Sequence, residues 1–263
     1  MKEAADRARR ELHAQASDAG GFDASRYFRT SESLGFLNVR TPIVRQLGKA
    51  IAREHRGDWT VKDATALADV LIRDRHLEIK GVGIEALACF RRQFSAGLLQ
   101  TVRGWLAADH AANWATTDSI CGSLLSPLLQ AHPVLVSRVA SWTSHRNLWV
   151  RRASAVSLVR LAARGIALDE AYGVADRLRD DPHDLIHKAA GWLLREAGRT
   201  DRARLRRYLL EHGQSIPRTT IRYAIEHFTA DARAELLAAT RSGHGRAGRD
   251  GKKTTTSRAR RLR

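Results

Sequence analysis

The chain has 263 residues, a formal net charge of +17 and a pI near 11.1, which excludes an acidic or neutral surface and makes an anionic polymer the first partner to consider. Residues 241–263 hold nine Arg/Lys and one acid, Asp250, so +9 remains on the first 240 residues and the body is basic without its terminus. Two cysteines with no CxxC spacing argue against a disulfide framework or a zinc site.

The first ten residues, Met1-Lys2-Glu3-Ala4-Ala5-Asp6-Arg7-Ala8-Arg9-Arg10, are charged and lack an apolar core, so no secretory signal is expected there. No apolar run approaches the roughly 18 residues of a membrane span. With 38 arginines against 7 lysines, the chain is expected to be a bacterial cytoplasmic protein associated with the nucleoid.

Five prolines, few β-branched alternations and an excess of Ala, Leu, Arg and Glu predict an all-α protein. In chain order, amphipathic segments run near 3–19, 23–30, 41–55, 60–73, 77–94, 96–107, 113–130, 133–143, 147–164, 169–179, 184–198, 201–212, 217–228 and 230–240. Turn signals separate them, among them Gly57-Asp58, Arg164-Gly165, Asp181-Pro182 and Ile216-Pro217. Cys89 and Cys121 fall in apolar runs and are expected to be buried.

A repeat underlies these segments. Aligned at Ile79, Trp114, Val150, Ile186 and Thr220, the second helix of each pair recurs every 34 to 36 residues. Paired helices at that period predict an α-solenoid of HEAT-like (ARM-like) repeats over residues 1–240. Such a stack lines one helix of each pair along a concave wall. The aligned helices would set Trp114/Asp118, Trp149/Arg152, Lys188/Trp192/Arg195 and Arg218/Arg222 in parallel rows. Residues 241–263 contain too little apolar surface for a core and are expected to be a disordered basic tail.

Three stretches carry possible chemistry. Trp114 and Asp118, at i and i+4, share a helix face, although Thr116-Thr117-Asp118-Ser119 taken alone reads as a helix cap. Trp149, with Ala153 and Val156, reads as core, and Trp59, Trp105 and Trp142 are core by default. From Asp181 to Glu196 a turn leads into one helix whose apolar face is Ile186, Ala190, Leu193 and Ala197. Lys188, Trp192, Arg195 and Arg199 occupy another face, where a tryptophan among cations suits a sugar-phosphate backbone better than a core. Lys188 could form a Schiff base, but phosphate contact is the expected role. His183 and His187 have zinc-compatible spacing without a third ligand, so no metal is expected.

Asn113-Trp114-Ala115-Thr116-Thr117-Asp118, Asn147-Leu148-Trp149-Val150-Arg151-Arg152-Ala153 and Ile186-His187-Lys188-Ala189-Ala190-Gly191-Trp192-Leu193-Leu194-Arg195-Glu196 resemble signatures of the AlkD-type DNA alkylation repair glycosylases. Tyr27-Phe28 with Leu34-Gly35-Phe36-Leu37-Asn38-Val39-Arg40-Thr41-Pro42 is similar to that family's first segment, and Pro217–Glu226 to its closing repeat. The resemblance spans about residues 23–228 and implies a right-handed α-solenoid of HEAT-like repeats with a basic groove for alkylated double-stranded DNA. It implies a glycosylase excising N3- and N7-alkylated purines; the enzyme is expected to be monofunctional, without cofactor or metal, and a monomer is the simplest expectation. It also implies a cleft of Asp118, Trp114, Trp192 and Arg152, with Arg151 a rival for the arginine. Arg195, and more loosely Tyr27, would lie beside DNA, and Lys188, Arg218 and Arg222 would add backbone contacts. The alternative is a non-catalytic DNA- or RNA-binding scaffold on the same fold, or a solenoid for acidic proteins.

Overall fold

The computed structural model describes residues 1–17, 28 and 34–241. Tyr27, residues 29–33 and most of the expected tail, 242–263, lie outside the described residues. Among the described residues the chain is helical, and the single extended pairing is an isolated bridge between Gly35 and His76.

Helix α1 spans Lys2–Ala14, α2 Thr41–Glu54, α3 Val61–Ile72, α4 Leu77–Ala88 and α5 Leu98–Ala107. Next come α6 (Trp114–Ile120), α7 (Ser126–Ala131), α8 (Val136–Ala140), α9 (Leu148–Val156) and α10 (Val159–Ala162). The series closes with α11 (Leu168–Arg177), α12 (Asp184–Ala197), α13 (Arg202–His212), α14 (Arg218–Ala224) and α15 (Ala230–Ala239). Local chemistry sets many boundaries. Thr60 and Asp63 form a capping box for α3, while Asn147, Asp201 and Thr229 accept N–H bonds at the starts of α9, α13 and α15. Gly165 takes φ +76° in the turn between α10 and α11, a conformation a side chain would strain. No single helix among the described residues is long and apolar enough to cross a membrane.

Neighbouring helices pack as pairs, α3 with α4, α8 with α9 and α11 with α12, while α5 packs on α9 and α13 packs on α12 and α15. The second helices α4, α6, α9, α12 and α14 pack directly on one another in series, and α2 extends that layer at one end. Five side-chain hydrogen bonds show the repeat, because they join residues 32 to 36 apart. Trp105 Nε1 donates to Asp69, Arg179 Nη1 to Ser215 Oγ, Arg204 Nη2 to Asp169, Tyr208 OH to Asp176 and Thr219 Oγ1 to Asp184. The core follows the stack as two clusters, one within α1–α4 and one from the end of α2 onward, with Trp59 packed against both.

Three expectations change. The residues preceding the second helices are His76, Asn113, Asn147, His183 and Pro217. In that register Thr116, not Trp114, is equivalent to Ile79, Val150, Ile186 and Thr220, because Trp114 directly follows its cap. Asp118 is not a cap: Asn113 takes that role, accepting the Thr116 N–H at 2.8 Å. Cys89 is exposed while Cys121 is buried, because α4 ends at Ala88 and the chain turns Phe90 inward in its place. Trp105, Trp142 and Trp149 are buried as expected.

The α12–α14 contact depends on a missing side chain. A Cβ on Gly191 would lie 2.5 Å from the Tyr223 Cβ and 2.7 Å from the Thr220 carbonyl oxygen, and backbone cannot yield cheaply. Gly191→Ala should therefore destabilise the protein by about 1–3 kcal/mol, read as a lowered midpoint in denaturant with unchanged slope. An unaltered midpoint would show that the two helices separate freely.

Candidate active site

Asp118 stands one turn after Trp114 on α6, and its position is set from below. Asn113 is buried, donates Nδ2 to Thr116 Oγ1 at 2.9 Å, and fixes the first turn. Thr117 Oγ1 donates to the Ala111 carbonyl at 3.0 Å, tying the helix to the preceding loop. Immediately beyond Asp118 the helix loosens into a π-helical turn, Cys121–Leu125, before resuming as α7. π-Turns inside α-helices are rare and frequent at functional sites.

Arg152, the fifth residue of α9, meets Asp118 with a planar fork. Its Nε donates to Oδ1 and its Nη2 to Oδ2, both at 2.8 Å, while Nη1 donates to the Leu185 carbonyl at 2.6 Å. One guanidinium thus joins α6, α9 and the start of α12. The Arg152 side chain is only 7% exposed and that of Asp118 is 18% exposed, so the pair is shielded while part of the Asp118 side chain stays accessible. Burial raises the Asp118 carboxyl above its ordinary range, and the Arg152 hydrogen bonds and charge oppose that shift without cancelling it. Behind it, Cys121 is fully enclosed and its thiol is pushed up by burial.

Aromatic rings gather at Trp114, one helical turn before Asp118 on α6. Phe28 stacks on Trp114 with centroids 5.2 Å apart and planes within 2°, and its other neighbour is Phe36 at 5.1 Å. Phe28, adjacent to Tyr27 in the amino-terminal motif, is not among the residues the sequence points to. Trp192 lies on α12, the helix whose Leu185 carbonyl binds Arg152, and is half-buried against the core rather than fully outside it.

The two adjacent arginines diverge. Arg151 donates Nε to Asp181 at 2.6 Å and Nη1 to the His145 and Arg146 carbonyls at 3.0 and 2.9 Å, leaving Arg152 as the partner of Asp118. The other expected backbone-binding cations also have internal partners. Lys188 pairs with Asp184 at 2.7 Å, Arg195 with Glu196 and Glu226, and Arg218 donates to the Leu237 carbonyl and Thr240 Oγ1. Arg222 is exposed on α14. His183 caps α12 by accepting the Leu185 N–H, and His187 Nε2 lies 2.5 Å from the Asp181 carbonyl, so both have structural bonds. Among the described residues no three His, Cys, Asp or Glu converge as metal ligands.

The helical stack thus holds a desolvated carboxylate clamped at both oxygens by an arginine. The DNA alkylation repair enzyme family matches residues 8–228. The chain belongs to that family. Membership ties it to repair of alkylated DNA and makes DNA its partner. Among solved structures, a chain described as a predicted DNA alkylation repair enzyme from Enterococcus faecalis superposes with a TM-score of 0.66 at 18% identity, covering 84% of this chain and 96% of that one. That likeness establishes the shared all-helical fold. No curated protein matches.

Proposed function

We propose that the protein is a monofunctional DNA glycosylase that hydrolyses the N-glycosidic bond of N3- and N7-alkylated purines in duplex DNA. The observation that carries this reading is Asp118: a largely buried carboxylate, gripped at both oxygens by Arg152, beside the Trp114–Phe28 stack.

Alkylation at N3 or N7 gives the purine a positive charge, so the base departs neutral and needs no general acid. The second carboxylate of an ordinary glycosidase is then dispensable. As the C1′–N bond breaks, positive charge grows on the sugar. The Asp118 carboxylate stabilises it at short range in a shielded site. Each carboxylate oxygen bound by Arg152 keeps a lone pair, enough to orient the water whose oxygen bonds to C1′. The products are the free base, an abasic site and a proton. Aromatic faces of Trp114 and Trp192 suit a cationic sugar or base. In this reading Arg152 is a positioning residue, exposed Arg222 contacts phosphate directly, and Arg195 and Lys188 do so after exchanging their internal acids for DNA.

The test is release of free N7-methylguanine or N3-methyladenine from methylated duplex DNA, with the remaining strand assayed for breakage. Free base with an intact abasic strand is expected. Tight DNA binding without release would make the chain a non-catalytic scaffold, and strand cleavage would point to a lyase. Because only ionised Asp118 works in this chemistry, kcat/KM should fall as pH drops through a pKa above the ordinary aspartate range. A kcat/KM with no acid limb in the carboxylate range would sink the assignment.

A further inference from the structure

Several arginines of the second-layer helices, Arg151, Arg152, Arg195 and Arg218 among them, are held by acids or carbonyls, whereas a cluster beside α5 is not. A cavity of about 580 Å³ between α5 and the α8–α9 connection is lined by Arg103, Arg138 and Arg146 around His145, over a floor of Leu99 and Trp142. No acidic side chain lines it. Among the described residues, none of the three guanidinium groups makes a hydrogen bond or ion pair. Three like charges sharing one cavity repel one another, and that cost persists until an anion enters.

The cavity wall is pre-set. Arg151 holds the His145 and Arg146 carbonyls at 3.0 and 2.9 Å, and Asp109 accepts Nδ2 of Asn147 at 2.8 Å. His145 Nδ1 accepts the Asn147 N–H at 3.0 Å, which puts the ring proton of the neutral imidazole on Nε2 as a further donor. Burial, then the charges of Arg103 and Arg146, keep that imidazole below its ordinary pKa and so uncharged. Planar guanidinium forks around a polar, acid-free cavity match the oxygens of a phosphate group.

We propose that the Arg103–Arg138–Arg146 cavity is a phosphate-binding site separate from the Asp118 carboxylate. Its ligand group comes either from the backbone of DNA reaching over this rim or from a free phosphorylated small molecule. The rim position gives the first source a reason: Arg146 directly precedes the cap of α9, which carries Arg152, and Asp109 lies in the loop feeding α6, which carries Asp118. The DNA source rests on the reading above, whereas phosphate binding itself does not.

The experiment compares the full chain with Arg103→Gln/Arg138→Gln/Arg146→Gln and with a charge-matched control, Arg10→Gln/Lys62→Gln/Arg233→Gln. Inorganic phosphate and pyrophosphate are titrated by calorimetry, and unmodified duplex DNA by anisotropy across a salt series. The cavity variant should lose affinity for the occupying probe by roughly tenfold per arginine that contacts it. If DNA is the source, the salt slope should also flatten by about 0.9 for each lost phosphate contact, while the control moves less. Loss confined to the small anions identifies a free ligand. Both probes bound by the cavity variant as by the control would overturn the proposal. Base release, measured separately, judges the glycosylase reading, so either can fail without the other.

Discussion

Asp118→Asn should release alkylated purines from duplex DNA roughly a thousandfold more slowly than the unaltered chain. Asparagine keeps the shape of the side chain and one acceptor for Arg152, but it removes the negative charge opposite the developing positive sugar. The loss belongs in kcat, because the charge matters most when the C1′–N bond is breaking. Duplex affinity should hold or rise, since an anion near the backbone has been removed. Single-turnover release at saturating enzyme separates the two effects. Release within a few-fold of the unaltered chain would remove Asp118 from the chemistry.

The second large effect concerns Arg152. Arg152→Met would leave the Asp118 carboxylate buried without its fork and strip the Leu185 carbonyl of its donor. Removing one member of a buried pair costs about 3–5 kcal/mol, and the orphaned carboxyl would titrate at still higher pH. Its acid limb would therefore move up, so residual activity at neutral pH drops further and recovers in part as pH rises. Combining Arg152→Met with Asp118→Asn removes both charges, and much of the lost stability should return while activity stays absent. Denaturant midpoints of the four proteins give the coupling directly. Additive stability losses would mean that the pair is too well solvated to act as one unit.

The sequence made the helices legible because their apolar residues recur with helical spacing and their boundaries carry Asn, Thr, Asp and Gly. The repeat was legible for the same reason, with one slip at Trp114. There the aligned position is Thr116, buried with Thr117 and satisfied by Asn113 and the Ala111 carbonyl. Hydrophobic pattern cannot see a polar residue whose hydrogen bonds take it inside. Arg152 shows the same limit, since a buried guanidinium and a solvated one have identical spelling. The choice between Arg151 and Arg152 is decided by acids 30 and 34 residues away in sequence, one on each side. Cys89 misled because an apolar run continues past the point where the helix stops. Unbalanced charge is least visible of all: Arg103, Arg138 and Arg146 look like any other arginines until the stack brings them around one cavity.

The reach of Arg152 to Asp118 on one side and Leu185 on the other has a consequence for the newly made chain. The carboxylate leaves the ribosome early, but its clamp is complete only when the start of α12 has been synthesised and docked. A nascent or proteolytically shortened chain ending before that helix would hold the acid without the geometry.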